Sequence, residues 1–187
     1  MALMAQPLLI FGMTLPGTGC NMKKGFTLIE MLLYISILSI IVLALSSFMF
    51  MTYSSRIKST VISEVEQQGS QTMNIIAQNI RNASGITGPI AATSATSLTL
   101  TEYIGSLSPT VIAQSGNKIQ ITEGTNPAID LTSNRVIVSN LSFSNLSRPN
   151  TPGVIQVKFN LTHINPDNRG EYSYSKDFTT TASLRWP

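Results

Sequence analysis

Glu30 makes the strongest chemical demand in this sequence, because it sits just inside an apolar run, immediately before the charge-free window that starts at Met31. A carboxylate in hydrocarbon costs roughly 3 kcal/mol by insertion scales and is by default functional, with a partner that has to be named. Lys23 and Lys24 lie upstream of it, with Gly25 and Phe26 between. Elsewhere the sequence offers little for catalysis. His163, the single histidine, follows Leu161 in phase with an apolar strand face and reads as a partly buried strand-end residue. Glu102, Glu123, Asp130, Asp167, Glu171 and Asp177 are scattered, and spacing alone pairs none of them as acid and base. There is no Gly-x-Ser-x-Gly elbow, no metal-spaced His/Cys set and no phosphate loop. Asp167 and Asn168 supply oxygens, but one carboxylate is a poor start for a calcium ion wanting six to eight, and turn chemistry explains them better. The sequence calls for no cofactor.

The lone cysteine, Cys20, excludes an intramolecular disulfide and a four-cysteine metal site. Its setting, Gly17-Thr18-Gly19-Cys20, lacks the preceding basic stretch and the leucine of a lipoprotein cleavage site. Sequons at Asn82, Asn140, Asn145 and Asn160 arise cheaply in a chain rich in Asn, Ser and Thr.

The element that must carry Glu30 is plain. From Met31 to Ser55 there is no charged residue, and MLLYISILSIIVLALSSFMFM forms the heart of that window. About twenty residues of helix, rising about 1.5 Å each, cross roughly 30 Å of hydrocarbon. The run reads as a transmembrane helix, since helices of globular proteins rarely go twenty residues without a charge. Lys23 and Lys24 at one end balance Arg56 and Lys58 at the other, so counting cations does not orient it. A short basic start before an apolar run and a long following domain favour a cytoplasmic N-terminus and an exported bulk.

Taken together, Lys23-Lys24-Gly25-Phe26-Thr27-Leu28-Ile29-Glu30 closely resembles the prepilin signal of type IV pilins and type II secretion pseudopilins. The resemblance implies a membrane aspartyl prepilin peptidase that cuts on the cytoplasmic side after Gly25 and methylates the new amine of Phe26. It also implies that Glu30 pairs with the terminal amine of a neighbouring subunit. The physics of each role agrees: glycine lets a protease approach the backbone with no Cβ in the way, and the lysines hold the scissile bond at the membrane surface. A cation formed at Phe26 is the partner Glu30 lacks, and the attraction is strong in low dielectric. One departure stands out, since Ser47 takes the place where many major pilins carry a helix-bending proline.

The competing reading of this region is an ordinary secretory signal peptide cut after Ala44, in Val42-Leu43-Ala44. It leaves Glu30 without a purpose. Residues 1–21 are charge-free and irregular, either a long leader or the product of a misassigned start, with Met22 opening the short leader Met22-Lys23-Lys24-Gly25. Processing would remove Cys20 and leave a cysteine-free product that folds without an oxidising compartment.

Beyond Tyr53 the helical pattern continues. Ile57, Val61, Val65, Gln68, Thr72, Ile76, Ile80 and Ala83 recur at spacings of three and four, with Ile62, Met73 and Ala77 broadening the stripe. Arg56, Lys58, Glu64, Glu66, Gln67 and Arg81 mostly fall off it. The helix is predicted to end near Asn82, before Ser84-Gly85 and Gly88-Pro89. The remainder reads as strands: Leu98 and Leu100, Ile119 and Ile121, and Val136 and Val138 alternate with polar residues. Leu141 and Phe143 take the opposite parity, which predicts a bulge around Asn140. Ile155 to Leu161 and Tyr172 to Leu184 form an antiparallel hairpin about the turn Asn165–Gly170. The fold class is therefore α+β: a long N-terminal helix, transmembrane then amphipathic, packed on a C-terminal antiparallel β-sheet head, a lollipop as expected of pilins.

The predicted organisation is a leader over 1–25, a transmembrane and filament-core helix over 26–51, an amphipathic exported half over 52–83 and a β-rich head over 84–187. The segments Glu64 to Ala83, Val136 to Phe143 and Ser183-Leu184-Arg185 look similar to minor pilins of the W type and to J-type minor pseudopilins. The resemblance implies a non-enzymatic subunit, first in the inner membrane and then in a pilus or pseudopilus. Its implied partners are other pilin or pseudopilin subunits, the prepilin peptidase, the inner-membrane assembly platform and membrane lipid. A bitopic or secreted β-rich adhesin that never assembles is the first alternative, and an exported hydrolase with an unrecognised site is the second.

Composition bounds the rest. The chain has 187 residues, 43% hydrophobic and 11% charged, with a mean hydropathy of +0.19; it is too apolar for a charge-rich disordered chain. Twelve cations face nine anions, and without Lys23 and Lys24 the surplus falls to one. With no run of Lys or Arg, direct nucleic-acid binding is not expected.

Overall fold

The computed structural model describes residues 25–185. The chain divides into two units, one ending at Leu45 and the other beginning at Ser46. The first helix, α1 (Leu28–Asn82), has 55 residues and continues without a break through Ser47.

In the described part of the first unit the apolar side chains are bare. Leu28 is 79% exposed, Ile40 68% and Leu43 69%. From Gly25 to Leu45 every residue is exposed except Glu30, which is half-buried. Among the described residues of this unit no apolar side chain is buried, as expected of a segment whose solvent is lipid or other helices.

The second unit behaves oppositely. Its stretch of α1 buries Val61, Val65, Gly69, Thr72, Met73, Ile76, Ala77 and Ile80, the stripe predicted from spacing, with Gly69 added. Gly69 lets the helix lie close on the sheet: a Cβ there would collide with the ring of Phe178, which stacks on Phe159 at 5.6 Å between centroids. The helix ends at Asn82 as predicted, but Gly85 does not open a loop. Ser84 donates its N–H to the Thr101 carbonyl at 2.8 Å, and the chain passes directly into β1.

Nine strands follow: β1 (Gly85–Gly88), β2 (Ser94–Ala95), β3 (Ser97–Thr101), β4 (Thr110–Ser115), β5 (Lys118–Glu123), β6 (Ile129–Asp130), β7 (Val136–Asn145), β8 (Val154–His163) and β9 (Ser175–Ser183). They form two antiparallel sheets instead of one, in the orders β1-β3-β4-β5-β6 and β2-β7-β8-β9. Strand β4 escaped the sequence pattern for a physical reason. Its inward residues are Thr110 and Ile112 and its half-covered ones are Val111 and Ala113, so polarity does not alternate although burial does. The β4–β5 connection is a two-residue turn with Gly116 at φ +57°, a conformation that favours glycine.

The bulge falls where parity placed it. Ser139 pairs with Asn160 and Ser142 with Lys158, so Asn140 and Leu141 oppose Phe159 alone. Asn140 takes φ +55°, which brings Leu141 and Phe143 back to the buried face. Strands β8 and β9 pair as predicted, with Phe159 opposite Phe178. Tyr172 lies in a short 3₁₀ turn before β9, and Leu184 just after it continues the ladder by donating to Gly153 O at 2.8 Å. The α1 stripe, Leu98, Leu100, Ile112 and Ile119 of the first sheet, and Phe143, Ile155, Val157, Phe159 and Leu161 of the second share one core. The α+β pilin-like class read from the sequence is the observed one.

Candidate functional site

Glu30 is positioned by the way α1 begins. Gly25, Phe26 and Thr27 precede the helix. The Thr27 hydroxyl accepts the Glu30 N–H at 3.3 Å, and the Thr27 carbonyl accepts the Met31 N–H at 3.2 Å. Thr27-Leu28-Ile29-Glu30 is thus the Thr-x-x-Glu start of a capped helix, with its acid in the first turn where the helix dipole favours it. The Glu30 carboxylate itself accepts a hydrogen bond from the Tyr34 hydroxyl, 3.4 Å away. The Tyr34 ring meets the Phe26 ring edge-on, with centroids 6.1 Å apart.

The structure therefore brings Phe26, Glu30 and Tyr34 together on one side of the helix start. Gly25 is exposed, and a Cβ built on it meets nothing within 4 Å. Lys23 and Lys24, the proposed start at Met22, Cys20 and the rest of the leader lie outside the described residues. Sequence reasoning passed over Thr27 and Tyr34. Signals for both were present: the Thr-x-x-Glu spacing and a phenol one helical turn after the acid.

The head's ionisable groups are held in local pairs. His163 ends β8 with its side chain 10% exposed and its Nε2 3.7 Å from Glu64 Oε2, beside the ring of Tyr172. It is a strand-end residue, as expected. Glu64 also faces Arg135 at 3.4 Å. Glu66 accepts from Lys176 Nζ at 2.6 Å and from the Tyr174 hydroxyl at 3.3 Å. The Lys176 ammonium holds the Glu66 carboxyl below its ordinary range, and Glu66 in turn raises the lysine. Each of these glutamates, beside the stripe in sequence, meets a strand more than 70 residues away.

Among the described residues no acid–base pair of catalytic form emerges. Asp130 is bonded by Lys118 and Gln120 and held low by them. Arg169 pairs with Glu171, and Asn160 donates to Asp177 at 2.8 Å. Glu102 is the exception: burial, and secondly the charge of Glu123, push its carboxyl upward against a hydrogen bond from Thr110. In the Asn165–Gly170 turn, Asn165 brackets Arg169 with two 2.9 Å bonds and Asn168 takes φ +51°, so turn geometry accounts for both. Among the described residues no three His, Cys, Asp or Glu gather as a metal site.

Residues 20–46 match the family described as the prokaryotic N-terminal methylation motif. No curated protein and no solved structure matches the chain. The match spans the Gly25–Phe26 junction, Glu30 and most of the exposed apolar stretch, and the long N-terminal helix followed by antiparallel sheet is consistent with it. Motif and fold together support a likeness to the type IV pilins and pseudopilins, a family whose members are generally structural proteins.

Proposed function

We propose that the protein is a structural subunit, of minor type, of a type IV pilus or type II secretion pseudopilus. Prepilin peptidase cuts after Gly25 and methylates Phe26. Residues 26–51 then hold the product in the inner membrane with its N-terminus cytoplasmic, and 52–83 and 84–187 form the exported helix half and head. Withdrawal from the membrane packs the helix against other subunits on the assembly platform, and Glu30 sets register by requiring a partner amine.

The observation that carries this reading is the methylation motif lying on a helix stretch whose apolar side chains are uncovered. None of the most apolar part of this helix is buried. Leaving some twenty large apolar side chains in water is untenable at about 25 cal/mol per Å², so lipid or neighbouring helices must cover them.

The intact mass of the mature protein tests the reading. A chain beginning at methylated Phe26 is expected. A chain beginning at Leu45 would mean ordinary signal-peptide cleavage and would leave the secreted-adhesin alternative in its place.

A further inference from the structure

We propose that Tyr34 is the in-subunit partner of Glu30, holding the assembly acid in the membrane until a neighbouring subunit's amine replaces it; this rests on the reading of Glu30 given above. Three observations converge. From Gly25 to Leu45, Glu30 is the one residue that is half-buried instead of exposed, so its own chain partly covers it. The Tyr34 hydroxyl lies 3.4 Å from Glu30 Oε1 in donating geometry. The Tyr34 ring is itself held by the edge-on ring of Phe26.

Helix geometry explains why one residue can do this. Side chains lean toward the helix N-terminus, so a long side chain four residues on reaches back over the acid. Phe26, four residues before Glu30 and not yet helical, reaches the Tyr34 ring from the N-terminal side. Within the described residues of this unit Glu30 carries the only ionisable side chain besides Tyr34, so no side-chain cation of the same stretch competes for it. A phenol can donate to a carboxylate without bringing charge into the bilayer. It lowers the cost of the lone acid yet leaves the carboxylate's other lone pairs open to a stronger, charged donor.

Tyr34 is a positioning residue in this account, and two ways it acts can be separated. Tyr34→Phe keeps the ring on Phe26 and removes only the hydroxyl. The full chain would be co-expressed with partner pilin subunits, and its incorporation measured for the wild type, Tyr34→Phe, Glu30→Ala and the double variant. The hydroxyl's loss is expected to lower incorporation roughly three- to tenfold, the span of one hydrogen bond, and to change nothing further on the Glu30→Ala background. The second readout is the carboxyl stretch of Glu30, isolated by infrared difference against Glu30→Gln in phospholipid vesicles. It should shift in Tyr34→Phe.

An unshifted band overturns the proposal, and so does a shifted band with unchanged incorporation. Equal losses from Tyr34→Phe with and without Glu30 also overturn it, because the tyrosine would then act elsewhere. If Glu30→Ala incorporates like the wild type, the assembly role of the acid falls and the proposal falls with it. If Glu30→Ala fails while Tyr34→Phe does not, only the tyrosine proposal is lost.

Discussion

Two stretches of α1 use apolar residues in opposite ways. Between Met31 and Leu45 they come on every side of the helix and all are exposed. Between Val61 and Ile80 they come every three or four residues and are buried against two sheets. A helix in a uniformly apolar medium has no inside, so nothing selects a periodic pattern, whereas a helix between water and a core must be two-faced. The contrast extends to charge. The acid of the first stretch has a phenol for company, while Glu64 and Glu66 of the second find cations on distant strands.

If that division is right, truncations in the two stretches should differ sharply when the detergent-solubilised full chain is unfolded with urea. Phe143→Ala empties a fully buried site and should cost about 3–5 kcal/mol. Leu38→Ala removes an exposed side chain and should move head stability by less than about 0.5 kcal/mol. Comparable losses would show that the first stretch packs on the head.

Gly69→Leu sharpens the same contrast inside the second stretch. The new side chain must displace Phe178 from Phe159, and the unfolding midpoint should report a loss of about 1–3 kcal/mol. The same substitution at the exposed Gly25 should leave head stability alone and block processing instead, read as retention of the leader by mass.

Smaller effects concern the ionisable groups of the head, and their signs differ. Glu102 is raised by burial and by Glu123. Its folded form therefore keeps a proton that the unfolded chain gives up, and stability is lost as pH rises from the ordinary carboxyl value through the folded one. Glu102→Gln should raise the melting temperature at pH 7 and leave it unchanged near pH 3. Glu66 is lowered by Lys176, so its contribution is present above the ordinary carboxyl value and disappears as pH falls through the folded one. Lys176→Met should flatten that acid limb. The pair is solvent-exposed, so the change in midpoint should be the smallest of the series.

The sequence was most legible where one residue type had one job. Ile155, Val157, Phe159 and Leu161 alternate because every second residue of β8 faces the core, and Asn140 announced its bulge because Leu141 and Phe143 change parity. It was least legible where a polar residue lies inside. Thr110 concealed β4, and Thr72 is fully buried only because it reaches the Leu131 carbonyl at 3.2 Å. Gln68, a member of the stripe by spacing, binds Ser133 through both ends of its amide. At the N-terminal site the eight-residue motif named Gly25, Phe26 and Glu30, while Thr27 and Tyr34 needed coordinates. A cap and a one-turn hydrogen bond are local, but many threonines and tyrosines stand at such spacings without making either.

The last residue of β7 has a bearing on how the protein should be produced. Asn145 is buried; its side-chain amide donates to the Pro89 carbonyl at 2.7 Å, its Oδ1 accepts from Ser147 N–H at 3.0 Å, and its backbone pairs with Ala92 and Thr93. It is also the asparagine of Asn145-Leu146-Ser147, a glycosylation sequon. Hosts that attach sugar to such sites do so while the chain is still emerging, before this asparagine is enclosed. A glycan there would hold the end of β7 away from the 89–93 loop, so a eukaryotic secretory route should yield misfolded head unless Ser147 is first replaced by alanine.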